Sequence, residues 1–296
     1  MSSIPSIEPE RAANGAGVRS AEMPRAASKP RRLDVGWAMR RVLPPVVIGV
    51  AGLVAWELVV RLNQIPYYIL PGPMLVLRTL VQDWGTLYPS LLVTLAITGA
   101  ALLVATVAGV LISILFTQSK LVELSLFPYA VILQVTPIVA IAPLIIIWVR
   151  EPFLALLVCA WIVAFFPVVA NTTVGLDSAD RNLVALFRLY GASQAQTLRY
   201  LKMPTALPYF LAGLRISGGL ALIGAVVAEF VAGTGGAETG LAFRILEAGY
   251  RLAIPRLFAA LFLLSLTGIV IYLVLDFLSR RVLRHWHESI TAEEEE

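Results

Sequence analysis

WGTLYPSLLVTLAITGAALLVATVAGVLISILFTQS, residues 84–119, carries no charged side chain over a run longer than a bilayer crossing requires. About 20 consecutive apolar residues, wound as a helix, span the roughly 30 Å of hydrocarbon. Two more charge-free runs follow at 124–149 and 152–176. Three others are interrupted only near an end: 42–60 by Glu57, 210–232 by Arg215 and Glu229, and 257–277 by Asp276. The apolar pattern is continuous rather than alternating, which excludes a transmembrane barrel. The reading is an all-α polytopic protein with six transmembrane helices, and the composition agrees: 58% of residues are hydrophobic and the mean hydropathy is +0.82.

Lys and Arg placement sets an expected orientation. Sixteen cations fall on the side of the termini: eight in the N-terminal tail, Lys120, four in the 171–209 loop and three near the C-terminus. Six, Arg61, Arg78, Arg150, Arg244, Arg251 and Arg256, fall on the other. The positive-inside rule then puts both termini and the long loop in the cytoplasm. The net charge of +4 reads as topology and not as nucleic-acid binding.

The first 36 residues form a basic tail with a disordered composition, residues 37–284 the membrane domain, and 285–296 an acidic, solvated tail. The first apolar run begins near Val42 and is long enough to span, so it reads as a retained helix rather than a signal peptide. Cys159 is the lone cysteine, and His285 and His287 diverge on a helix. No metal or cofactor spacing is present, no nucleophile has a base partner, and no G-x-x-x-x-G-K-[ST] loop occurs for nucleotide phosphates. No cofactor or catalytic residue is implied.

Between the first two spans, Pro73 suits a helical first turn, and Leu77, Leu80, Val81 and Trp84 share one apolar face of an expected interfacial helix. The third span carries Pro128, Pro137 and Pro143 and is expected to bend or break, with Gln134 and Thr136 beside Pro137. These polar groups either satisfy freed carbonyls or meet a passing solute. Glu229 has the same two readings, a structural hydrogen bond or a gate. Arg215 reads as a snorkelling anchor near the cytoplasmic end of its span.

The long loop over 177–208 has its own punctuation. Leu183, Leu186, Phe187 and Tyr190 are spaced i, i+3, i+4, i+7, with Asp180 as N-cap and Gly191 as stop. Ser193 and Gln196 match a capping box opening a second helix, expected to end before Pro204. The helix–glycine–helix is either an amphipathic hairpin resting on the membrane or a helix offered to a groove on a soluble partner. Periodicity does not choose between them.

These residues resemble inner-membrane permeases of ATP-binding cassette importers, whose cytoplasmic loop reads E-A-A, three residues, Gly, nine residues, Ile-x-Leu-Pro. Here Gly191 is followed after nine residues by Leu201, Lys202, Met203 and Pro204, while Ala185, Leu186 and Phe187 stand in the E-A-A places. LPGP at 70–73, TPIVAIAPLIIIW at 136–148, LPYFLAGLRIS at 207–217, VVAEF at 226–230 and TGLAFRIL at 239–246 extend the likeness to the nitrate, sulfonate and taurine branch, which also includes relatives for pyrimidine vitamin precursors and riboflavin. The resemblance implies a type I importer permease in the bacterial inner membrane. It further implies a homodimer of permeases, a separate ATPase subunit docked at the Gly191 loop, an external solute-binding protein, and no ATPase activity on this chain. The rival functions are an ATPase-independent secondary transporter, favoured by inverted repeats that are not seen, and a membrane scaffold.

Overall fold

The computed structural model describes residues 35–233 and 239–284, with side chains from residue 43 onward. The basic tail up to residue 34, the acidic tail and the His285/His287 pair lie outside the described residues. The chain divides within its first helix, at residues 51 and 52. The first unit contributes the N-terminal half of α1 (Val35–Leu62), which contains Pro44 and Pro45.

In the second unit every regular element among the described residues is a helix. After the remainder of α1 come α2 (Pro73–Gln82), α3 (Trp84–Gln118), α4 (Lys120–Val135), α5 (Ile138–Trp148) and α6 (Pro152–Asp177). They are followed by α7 (Arg181–Leu189), α8 (Gln194–Thr197), a π-helical turn (Leu198–Lys202), α9 (Met203–Ala232), α10 (Leu241–Tyr250) and α11 (Ile254–Leu283). Among the described residues five helices are long and apolar enough to cross a membrane, and α4 with α5 makes a sixth candidate, bent by 102°.

The bend follows from Pro137. It lacks an N–H and drives the residue before it out of the helical region. Thr136 and Pro137 are accordingly both extended, with ψ of 123° and 112°. The Thr136 hydroxyl donates to the Ile132 carbonyl at 2.6 Å, so the end of α4 is capped from within. Pro128 and Pro143 are carried inside α4 and α5 without a comparable break.

The core is built on α6, packed between α3 and α9. Ala160, Ala164, Val168 and Val169 are buried on it. Close approach of α9 depends on small residues: a Cβ on Gly224 would lie 2.8 Å from the Ala160 Cα, and one on Gly213 2.7 Å from the Pro167 carbonyl oxygen. Two buried hydroxyls reach from one helix to the next. Ser217 donates to the Ala164 carbonyl at 2.7 Å and Ser113 to the Val169 carbonyl at 3.0 Å.

Three expectations are corrected. Trp84 does not belong to α2: Asp83 leaves helical geometry and serves as C-cap of α2 and N-cap of α3. The buried face of α2 is Val76 with Leu80, packed on Leu87 and on Ala259, Ala260 and Leu263 of α11, while Leu77 and Val81 stay exposed. The second loop helix does not end before Pro204 but runs on into α9 as a continuous span, Gln194–Ala232. The π turn makes this tolerable. The Met203 N–H reaches the Leu198 carbonyl, five residues back, and this wider turn comes just before a residue whose ring would crowd a regular one.

Arg215 is tied down rather than left to snorkel. It pairs with Asp276 at 3.1 Å and donates to Ser279 at 3.1 Å, both on α11. Asp276 also pairs with Arg280, one turn on, at 2.8 Å.

Candidate functional site

The loop geometry is that of two capped helices around a left-handed corner. The Asp180 carboxylate accepts from the Asn182 N–H at 2.7 Å, closing the start of α7. At its end Gly191 adopts φ 73°, a value that costs any residue with a Cβ. The Gly191 N–H reaches the Arg188 carbonyl at 3.0 Å and the Ala192 N–H the Phe187 carbonyl at 2.9 Å, the paired bonds of a Schellman stop. Ser193 and Gln196 then form both bonds of the capping box, at 2.7 and 3.2 Å.

No residue of α7 is buried. Leu183 and Leu186 are each 44% exposed and Tyr190 84%, while Phe187 is half-buried. Leu201 and Pro204 are half-buried on the continuing helix. Among the described residues, therefore, nothing covers the apolar face of α7 fully.

Gln134, Thr136 and Pro137 meet at the α4–α5 break. Gln134 and Pro137 are exposed and Thr136 is half-buried. Below the break, Ala142 and Ile145 of α5 join a cluster with Ala155, Leu156, Ala225 and Ala228. Gln134 and Glu229 share no hydrogen-bond partner among the described residues.

Glu229 is 3% exposed. One carboxylate oxygen accepts from the Thr94 hydroxyl at 2.8 Å and the other from the Ala242 N–H at 2.9 Å. The Thr94 oxygen in turn accepts from the Leu241 N–H at 2.9 Å. Both amides lie in the first turn of α10, whose orphan N–H groups need acceptors and whose dipole favours negative charge there. The N-cap residue, Gly240, has no side chain to supply one. Its bareness is also required, since a Cβ there would overlap the Glu229 carboxylate.

Sequence reasoning found Glu229 but missed the rest of this arrangement. One turn before Thr94, Ser90 accepts from Arg244 Nε at 2.9 Å, giving α10 a second attachment to α3. Glu247 pairs with Arg244 and with Arg251, each at 2.9 Å. The Arg244 hydrogen bond, helped by the nearby charge of Arg251, holds the Glu247 carboxyl below its ordinary value against the opposing effect of burial. Arg256 grips Asp83 with two bonds, at 2.6 and 3.1 Å, fixing the start of α11 to the α2–α3 junction. Glu57 is paired with Arg61 at 2.6 Å, within α1.

Residues 105–284 match the model of a family described as the binding-protein-dependent transport system inner membrane component. The chain belongs to this family. The permease is 34% identical over 231 residues to the formylaminopyrimidine transport permease protein ThiX of Halalkalibacterium halodurans, covering 78% of this chain and 90% of the relative. It is 30% identical over 268 residues to the taurine transport system permease protein TauC of Escherichia coli, covering 88% and 96%. A solved structure titled an amino acid ABC transporter with histidines matches with a TM-score of 0.56 at 20% identity, over 68% of the permease and 96% of that chain, a likeness of fold. The permease is thus the membrane component of an ATP-driven importer in the bacterial inner membrane, and ATP hydrolysis is carried by a separate subunit. The secondary-transporter and scaffold readings fall away with this assignment.

Proposed function

We propose that α7 is the lever through which the ATPase drives this permease. The observation that carries the reading is the uncovered face of α7, with Leu183, Leu186 and Tyr190 exposed beside a rigid corner at Gly191. An amphipathic helix with anchors at this spacing suits an apolar groove on a soluble partner. The caps at Asp180 and Ser193 hold it in a fixed pose relative to the span that follows. Because that span runs without interruption from Gln194 to Ala232, a displacement of the loop is delivered to the outer end of α9, where Glu229 holds α10. ATP binding that brings two such subunits together then biases the permease between two orientations of its spans. In this reading the loop and both termini are cytoplasmic, in keeping with the excess of Lys and Arg on that side.

Two copies of the permease form the solute path in this account, with the α4–α5 break lining it. Irregular backbone at membrane depth is tolerated against protein or a water-filled cavity and not against lipid. The exposed Gln134 and Pro137 meet that condition once a second copy faces them. Glu229 acts as the outer gate by keeping α10 seated on α3. The solute is a small molecule, a sulfonate, taurine or nitrate, or a pyrimidine vitamin precursor or riboflavin, delivered by an external binding protein.

Affinity purification of the permease from its native membrane in mild detergent, with mass spectrometry of its companions, tests this assembly. Recovery of a Walker-motif ATPase in equal amount, with a binding protein, is the expected result. Recovery of the permease alone after gentle crosslinking contradicts it.

A further inference from the structure

Three neighbouring cavities lie around the ends of α3, α6 and α9 that adjoin the loop, and their chemistry differs. The first, about 260 Å³, is an apolar groove lined by Val110 and Ile114 of α3, Leu176 of α6, and Met203, Leu207 and Phe210 of α9. The second, about 340 Å³, begins at Leu176 and adds Asp177, Arg181, Arg188 and Lys202. The third, about 250 Å³, shares Val184, Arg188 and Lys202 with the second and mixes polar groups, Thr117, Gln118, Gln194 and Thr197, with the apolar Ala192 and Leu198. The apolar groove lies on the hydrocarbon side of Gln118 and Asp177, where the uncharged runs of α3 and α6 stop. Both basic cavities begin at that boundary and extend into the loop.

Among the described residues, Arg181, Arg188 and Lys202 enter no ion pair. Against them stands one acid, Asp177, so the lining is net positive. Lys202 is delivered to the shared wall by the π turn, which rotates it relative to a regular helix.

The geometry points to a binding site for one anionic glycerophospholipid, with an acyl chain in the Val110–Ile114–Phe210 groove and the phosphate between Arg188 and Lys202. An apolar groove whose lining meets that of a basic cavity at Leu176, and at the neighbouring residues Met203 and Lys202, fits both halves of such a molecule. Basic pockets between transmembrane helices on the cytoplasmic side recognise anionic headgroups in this way. Bound there, the lipid bridges α7 to the cytoplasmic ends of α3 and α9 and fills the space that separates the loop from the spans. Naming the leaflet rests on the orientation proposed above. Lipid binding itself does not, so a failure of ATPase docking leaves the test below unaffected.

The purified full-length permease is titrated in detergent with phosphatidylglycerol, phosphatidylcholine and inorganic phosphate, and bound species are read by native mass spectrometry. Phosphatidylglycerol is expected to bind about tenfold or more tightly than phosphatidylcholine, a preference of the size that two surface cations supply. The double variant Arg188→Gln/Lys202→Gln is expected to lose that preference and Lys202→Arg to keep it. Ile114→Trp, which fills the groove, is expected to weaken the lipid. An undiminished preference in the double variant overturns the proposal. Inorganic phosphate binding as tightly as the lipid, with Ile114→Trp silent, overturns it in favour of a free-anion site. Crosslinking of Leu207→Cys to a second permease copy, with lipid excluded, overturns it by placing that copy in the groove.

Discussion

Glu229 and Thr94 stand 135 positions apart in the chain and share a buried hydrogen bond of 2.8 Å. Through it an intramembrane carboxylate and a span hydroxyl together cap a helix that belongs to neither span. Carboxylates in hydrocarbon are costly unless satisfied, and here the partners are the first-turn amides of α10. The same contact makes Glu229 the point at which α3, α9 and α10 are joined.

Thr94→Val removes one acceptor from α10 and one donor from Glu229. A loss of about 1–3 kcal/mol in stability is expected for a buried polar group left short of a partner. Thermal unfolding in detergent reads this as a lower Tm, and an unchanged Tm contradicts the capping role.

Gly240→Ala forces a Cβ into the Glu229 carboxylate. It is expected to destabilise, and the effect is expected to shrink when Glu229 is already Ala, giving non-additivity of about 0.5–3 kcal/mol. Additive effects in the double-mutant cycle mean that the two residues do not touch as described.

Glu229→Gln keeps the volume but replaces one accepting oxygen with a donor, so Thr94 and Ala242 are no longer both served. The gate reading predicts impaired solute uptake in reconstituted vesicles with assembly retained. Uptake equal to wild type removes the gate and leaves Glu229 as a cap alone.

Asp276 joins Arg215 to Arg280, and the two bonds differ in worth. Arg215 is 33% exposed and Arg280 69%, so Arg280→Gln is expected to cost below about 1 kcal/mol. Asp276→Asn leaves Arg215 without its counter-charge, held by Ser279 alone, and is expected to cost more, about 1–3 kcal/mol. Equal Tm losses for the two variants contradict this ordering.

Glu247 supplies a pH dependence. Its carboxyl is held below the ordinary value, so its contribution is present above the unfolded-state value, about 4.3, and fades as pH falls through the depressed folded-state value. The Tm difference between wild type and Glu247→Gln is expected to be full at pH 7 and to shrink below about pH 4. A difference that grows on acidification reverses the sign and refutes the pairing with Arg244 and Arg251.

Much of the fold could be read from local chemistry. The uncharged run of α3, the break at Pro137, the cap at Asp180, the Ser193–Gln196 box and the left-handed corner at Gly191 each depend on residues within a turn of one another. What could not be read depends on partners far along the chain. Thr94 sits in an apolar helix where its hydroxyl has a local acceptor in the Ser90 carbonyl, so nothing nearby announces Glu229. Arg215 looked like a free anchor because Asp276 lies on another span. Pro204 signalled a stop because the π turn that accommodates it has no residue signature. On α2 the apolar stripe at Leu77 and Val81 was visible, yet the protein interior took the neighbouring face at Val76. For the loop, periodicity exposed the apolar face, and only the structure showed it uncovered.

In the proposed mechanism α7 and its corner couple the permease to its ATPase. The direct measurement is the amount of ATPase that co-purifies with Tyr190→Asp and Gly191→Pro variants, normalised to inserted permease. Both are expected to insert normally and to lose the ATPase, because one places a charge on the docking face and the other cannot adopt φ 73° or donate to Arg188. Co-purification at the wild-type level for both variants contradicts the account.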